Sequence, residues 1–184
     1  EQYEIALKIA PESHKTRQRQ IAIVCDRGLI AAAIGHLRIL LEQTPKDLNA
    51  CTKLGDLYLQ IGDYQQSLRL RKLAYEMAPE RVDSLNNLAW LLATTPYPND
   101  RDGKKALQLA ESAATATEYK SAGVLDTLAA AWAATGNFTE AVETQEKAIV
   151  LAPEQEQVRF KHRLDLYRQQ KPYRLAEDPD GASQ

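Results

Sequence analysis

Apolar residues recur along this chain at helical spacing, in short runs separated by glycine and proline. Over 122–134, Leu125, Leu128, Ala129 and Trp132 fall at i, i+3, i+4 and i+7, one face of a helix. Gly136-Asn137 interrupts that pattern, because glycine tolerates the left-handed backbone that ends a helix tightly. Thr139 offers a hydroxyl N-cap for a second helix. Ala141, Gln145 and Ala148 mark its face, with Val142 and Ile149 beside it. Pro153 lacks an N–H and stops the run. Two short helices folded back on one another are therefore predicted between Ala122 and Pro153.

A helix pair of this size cannot bury its apolar faces alone, so the pattern must repeat. It does: Cys51, Leu54, Gly55, Tyr58, Gly62-Asp63-Tyr64, Ser67, Ala74 and Pro79 fall in register with the positions above. Pro11, Pro45 and Pro79 are spaced by 34 residues, and Pro79 to Pro153 is 74, two such periods plus 6. Between them, Leu85, Leu88, Ala89 and Leu92 mark another first helix. Here Thr94 to Gly103 lengthens the turn by about five residues, two prolines keep it extended, and Asp102 can cap the helix that follows. Asp47 or Asn49 can cap the helix after Pro45.

A 34-residue helix–turn–helix unit with a large apolar residue, Leu-Gly or Leu-Ala, an aromatic, a glycine turn, a small residue and a closing proline is similar to the tetratricopeptide repeat (TPR). The resemblance covers about residues 1–153. The stretch from Leu85 to Ala113, followed by Val124 to Phe138, looks like the C-terminal repeats of large bacterial TPR proteins. The implied fold is all-α: a right-handed superhelix (α-solenoid) of antiparallel helix pairs. The expected organisation is an orphan second helix over 1–11, helix pairs over 12–45, 48–81, 82–118 and 122–153, a capping helix over 154–170 and an extended or disordered tail over 171–184. Val158, Phe160, Leu164 and Tyr167 are available to dock the capping helix. Because the pattern opens on half a repeat, the chain is expected to be a fragment or a trimmed mature protein, with self-association possible through the open apolar face of 1–11.

In the family, first helices line the concave face. The corresponding positions here are Asn49, Lys53 and Asp56, then Asp83, Asn86, Asn87 and Trp90, then Asp126. These are the candidate protein-binding residues. Asn side chains donate and accept at once, which suits an extended peptide backbone. Trp90 combines broad apolar area with one donor, a frequent hot-spot profile, although packing against a neighbouring repeat is an equal reading. Asp56, Asp83 and Asp126 would repel a terminal carboxylate, so the chaperone-tail clamp known from some TPR proteins is not expected.

Composition narrows the function. With 184 residues, 44% hydrophobic and 26% charged, the chain reads as folded rather than disordered. A net charge of −2 argues against a nucleic-acid partner held by bulk electrostatics. No run of 18 apolar residues is present, so no membrane insertion is expected. Cys25 and Cys51 read as small buried apolar residues. The basic start His14, Lys15, Arg17, Arg19 reads as a solvated face or a contact for an acidic partner. His14, His36 and His162 are scattered, and HExxH, GxSxG, CxxC and phosphate-binding glycine motifs are missing, so no catalytic residue, metal or cofactor is assigned. Asn137-Phe138-Thr139 matches a glycosylation sequon but reads better as turn and cap.

The sequence thus points to a non-enzymatic scaffold that binds a protein or peptide partner and helps assemble or tether a complex. The rival is a regulatory or targeting module of a larger multidomain bacterial enzyme. The compartment stays open, with the cytoplasm as default.

Overall fold

The computed structural model describes residues 14–175, and all their regular structure is helical. The expected orphan helix over 1–11 and residues 176–184 lie outside the described residues. Two compact units divide the chain, 1–77 and 78–184. The first contains α1 (His14–Asp26), α2 (Ile30–Gln43), α3 (Leu48–Gln60) and α4 (Tyr64–Met77). The second contains α5 (Val82–Thr94), α6 (Gly103–Ala116), α7 (Ala122–Ala134), α8 (Phe138–Leu151) and α9 (Glu154–Arg168).

Three of the four hairpins close in the same way. Gly28, Gly62 and Gly136 have φ of 67°, 77° and 84°, where a Cβ would be strained. Their N–H groups donate to Cys25, Leu59 and Ala133, and the N–H groups just after them donate to Val24, Tyr58 and Trp132. These paired bonds satisfy carbonyls that a helix end leaves without partners. In the α5–α6 hairpin the equivalent position is Pro96, which has no N–H and cannot reach positive φ. The chain instead detours through a single 3₁₀ turn, Pro98–Asp100, and the Asp102 N–H returns to the Leu92 carbonyl at 3.1 Å. The Asp102 carboxylate then accepts from the Lys105 N–H at 2.9 Å and caps α6. Asp47 does the same for α3, accepting from Ala50. That third repeat also lacks a closing proline; Glu118 and Tyr119 turn the chain with φ of 51° and 56°.

Small residues set how closely each pair packs. Ala33, Ser67, Ala106 and Ala141 occupy the same repeat position and are all 0% exposed. Ser67 adds a hydrogen bond from its hydroxyl to the Gly55 carbonyl at 2.7 Å, so its oxygen is not buried unpaired. The first unit closes over Ile21, Leu37, Leu40, Ala50 and Leu54. In the second unit α5 packs on α6 and also on α7, so successive first helices lie side by side. Leu85, Leu88, Leu91, Leu125 and Leu128 are buried there.

Several expectations need correction. Trp132 is only half-buried, unlike Leu125, Leu128 and Ala129 on its face, because it sits in the last turn of α7 beside the solvated Gly136 turn. Cys25 is exposed, at the end of α1, whereas Cys51 is buried. Burial pushes the Cys51 thiol up, with Asp47 adding to the effect. Thr139 is exposed and lies inside α8, whose N-cap is Asn137, because the helix starts directly after the hairpin closure. Val158 is 75% exposed, while Phe160, Leu164 and Tyr167 are buried.

Leu125→Ala is expected to lower stability by about 2–5 kcal/mol, and Trp132→Ala by less, since part of its ring already meets water. Urea denaturation of the two variants compares them; a larger loss for Trp132→Ala would contradict this placement.

Candidate functional site

In the first unit, Asn49, Lys53 and Asp56 form an exposed polar stripe along α3, opposite the buried Cys51 and Leu54. Asp56 accepts from Arg71 Nη2 of α4 at 2.9 Å. Burial lowers the Arg71 pKa, and the Asp56 charge and hydrogen bond restore part of it. The same unit carries a cavity of about 410 Å³, lined by Leu41, Leu54, Tyr58 and Leu70 among others, with Arg38 and Arg69 also in its lining.

In the second unit, Asp83 is exposed and pairs with Arg81 at 3.3 Å. Asn86, Asn87 and Trp90 are half-buried. Asp126 is 5% exposed. The eight candidates therefore do not form one continuous solvent-facing set: α3 presents its three to water, whereas Trp90 and Asp126 are engaged by residues from the C-terminal end.

That engagement is specific. Arg163 of α9 grips Asp126 with two parallel hydrogen bonds, Nε to Oδ1 at 2.8 Å and Nη2 to Oδ2 at 2.9 Å. Gln145 Nε2 of α8 donates to the same Oδ1 at 2.7 Å and to the Phe160 carbonyl at 3.2 Å. Burial alone would lower the Arg163 pKa, but the facing Asp126 charge and its hydrogen bonds outweigh that and raise it. The guanidinium also lies 5.1 Å from the Phe160 ring centre, 5.3 Å from Trp90 and 5.4 Å from Tyr173. Each such contact supplies about 0.5–2 kcal/mol of cation–π attraction, more as water is excluded. Phe160, Arg163, Leu164 and Tyr167 sit at i, i+3, i+4 and i+7, so Arg163 belongs to the buried face of α9.

Beyond α9 the chain turns back. Gln170 takes a left-handed φ of 57°, and the Lys171 N–H closes on the Leu166 carbonyl at 2.9 Å. Residues 171–174 are non-helical but not loose: Tyr173 is 4% exposed and Leu175 8%. The Tyr173 ring meets Trp90 at 5.7 Å between centres, tilted by 34°. Arg174 Nη1 donates to the Ala93 carbonyl at 2.9 Å and to the Tyr173 carbonyl at 2.9 Å. The segment 171–175 is a strap laid on the end of α5. The stretch expected to be an extended or disordered tail thus begins with a strap in which Tyr173 and Leu175 are buried and Arg174 is bonded to α5.

Sequence reasoning named Trp90 and Asp126 but missed Gln145, Arg163, Tyr173 and Arg174 as their partners. A signal existed. Gln145 and Arg163 each occupy an apolar face, where a polar side chain needs a matching group. What sequence could not say is which group, since Asp126 and Arg163 are brought together only by the stacking of α7, α8 and α9.

Tyr167 is 0% exposed, and among the described residues its hydroxyl meets no hydrogen-bond partner. Burial pushes its phenol pKa well above the ordinary value, with Asp126 adding to the effect. Among the described residues, no cluster of three His, Cys, Asp or Glu side chains could hold a metal ion. Among them, no helix is long and apolar enough to cross a membrane.

The sequence matches no protein-family model and no curated protein. Solved structures do match. MamA from Desulfovibrio magneticus RS-1, residues 41 to the end, superposes with a TM-score of 0.69 at 17% identity, over 94% of this chain and 90% of that one. TTC0263, a thermophilic TPR protein of Thermus thermophilus, gives 0.60 at 19% identity, over 91% and 87%. Yeast Tom70 gives 0.63 at 16% identity, over 91% of this chain and 35% of its own. The fold is that of the TPR solenoid, and at these identities the likeness concerns the fold alone.

Asp126→Ala is expected to lower stability by about 3–5 kcal/mol, because Arg163 would remain buried without its counter-charge. Arg163→Met in that background should recover much of the loss. Urea melts of both variants and the parent test this; no recovery in the double variant would count against an uncompensated charge as the cause.

Tyr167 sets a pH dependence. Its pKa is raised in the folded chain, whereas the unfolded phenol ionises near 10. Its contribution is therefore fully present below about pH 10 and is lost as pH rises from there toward the folded-state value. Tyr167→Phe should flatten that alkaline decline and leave neutral-pH stability unchanged or higher, because no hydrogen bond is removed. Denaturation midpoints at about pH 8 and about pH 10.5 compare the two proteins.

Proposed function

We propose that this protein is a binding module that works by surface contact, holding an extended segment of a partner protein against its first helices and so tethering it within a larger assembly. The observation that carries this reading is the strap on α5. An extended stretch of chain is already held there by aromatic stacking, a carbonyl hydrogen bond and an apolar anchor, the contacts a bound peptide uses. The solvent-facing stripe Asn49, Lys53 and Asp56 on α3 offers a second polar face of the kind an extended backbone can bond. Asn87 and Trp90 serve on α5, while Asp126 acts indirectly by fixing Arg163 under the Trp90 and Tyr173 rings.

Peptide-display selection against the full chain tests the proposal. Selected peptides should lose roughly tenfold or more in affinity, about 1.4 kcal/mol, against either Asn49→Ala/Lys53→Ala or Asn87→Ala/Trp90→Ala, with helical circular dichroism unchanged. Ligands that bind all these proteins equally would place the function elsewhere on the molecule.

A further inference from the structure

The α5–α6 hairpin differs from the other three in one carbonyl. In those hairpins the turn glycine donates its N–H to the residue three before it: Gly28 to Cys25 at 2.9 Å, Gly62 to Leu59 at 3.1 Å, Gly136 to Ala133 at 3.1 Å. The matching pair here is Pro96 and Ala93. Proline has no N–H, so the Ala93 carbonyl gets no backbone donor. It points from the C-terminal end of α5, where the helix dipole favours a cation. Arg174 fills that position. One ring away, Trp90 carries Tyr173, and Arg163 lies under both.

We infer that the end of α5 is a recognition site for an extended segment carrying an aromatic residue followed directly by a basic one, and that Tyr173-Arg174 is its resident occupant, which a partner bearing the same pair displaces. The inference rests on the proposal that this face binds partner segments, and it names the chemistry. The aromatic residue stacks on Trp90 and on the Arg163 guanidinium, whose charge Asp126 holds in place. The basic residue donates to the orphan Ala93 carbonyl. An aliphatic residue then takes the place of Leu175. An acidic residue in the second position is excluded, since it offers no donor to that carbonyl and opposes the negative end of the helix. The strap makes the site self-covered: an external segment competes with one tethered to the same chain, so its apparent affinity is lowered by the strap's own occupancy.

The test uses the full chain with Tyr173→Ser, Arg174→Ser and Leu175→Ser, and a fluorescein-labelled peptide, Lys-Pro-Tyr-Arg-Leu-Ala. The opened chain should bind this peptide roughly ten- to a hundredfold more tightly than the parent. Adding Trp90→Ala, or changing the peptide's Arg to Glu, should abolish the gain. Equal binding by parent and opened chain, or equal binding of the Glu peptide, overturns the inference. A second measurement does not depend on the variant folding. Trypsin cuts after Arg174 only when the strap lifts, the Lys171-Pro172 bond being resistant. Excess unlabelled peptide, its own Arg-Leu bond N-methylated to resist trypsin, should speed that cut in the parent, and an unchanged rate overturns the inference. Display selection that yields ligands on α3 alone, together with no peptide binding by the opened chain, overturns this inference while leaving the wider binding function standing.

Discussion

The second unit is organised by one buried ion pair. Asp126 and Arg163 come from α7 and α9, with the whole of α8 between them in the chain, and each would be costly to bury alone. Their pairing is therefore conditional on α7, α8 and α9 being stacked in one arrangement, with Gln145 supplying the third bond. The pair fixes more than two helices. With its charge satisfied on one side by Asp126, the Arg163 guanidinium is free to present its faces to Phe160, Trp90 and Tyr173. The strap is docked through that ring cluster. A carboxylate on α7 thus governs the surface of α5, through an intermediary that touches both.

The third repeat shows how a departure from a repeating pattern becomes a feature. Replacing the turn glycine by Pro96 removes a donor and a permitted backbone conformation together. The longer loop recovers one of the two closing bonds, through Asp102 and Leu92. It does not recover the other, and the Ala93 carbonyl is bonded instead by a side chain that arrives from Arg174. The repeats that keep their glycine close themselves with backbone and have no such opening. The insertion, the missing glycine and the docked strap are thus linked by a single acceptor.

The two units differ in what they offer. On α3 of the first, the polar stripe meets water, and the ion pair of Asp56 with Arg71 is half in solvent. On α5 of the second, the aromatic centre is already covered by Tyr173. A polar, uncovered face suits weak and adaptable contacts, whereas the covered one sets a threshold that a ligand must exceed.

The hairpins were legible from sequence because they depend on local rules. The 34-residue spacing, the turn glycines, the Asp47 and Asp102 caps and the small residues at Ala33, Ser67, Ala106 and Ala141 each answer to the backbone within a few residues or to the adjacent helix. The same locality explains the misreadings. Periodicity assigned Trp132 to a face but not a depth, and Thr139 had the chemistry of a cap without the position of one. Which helix faces water, by contrast, is decided by what lies on top of it. Asp126 has the spacing of an open groove residue, and only the stacked arrangement supplies the Gln145 and Arg163 side chains that engage it. Sequence alone determined that there would be repeating pairs with a shared face. Tertiary structure decided where that face is exposed and where it is occupied, because side chains 37 residues apart meet only once the helices between them have packed.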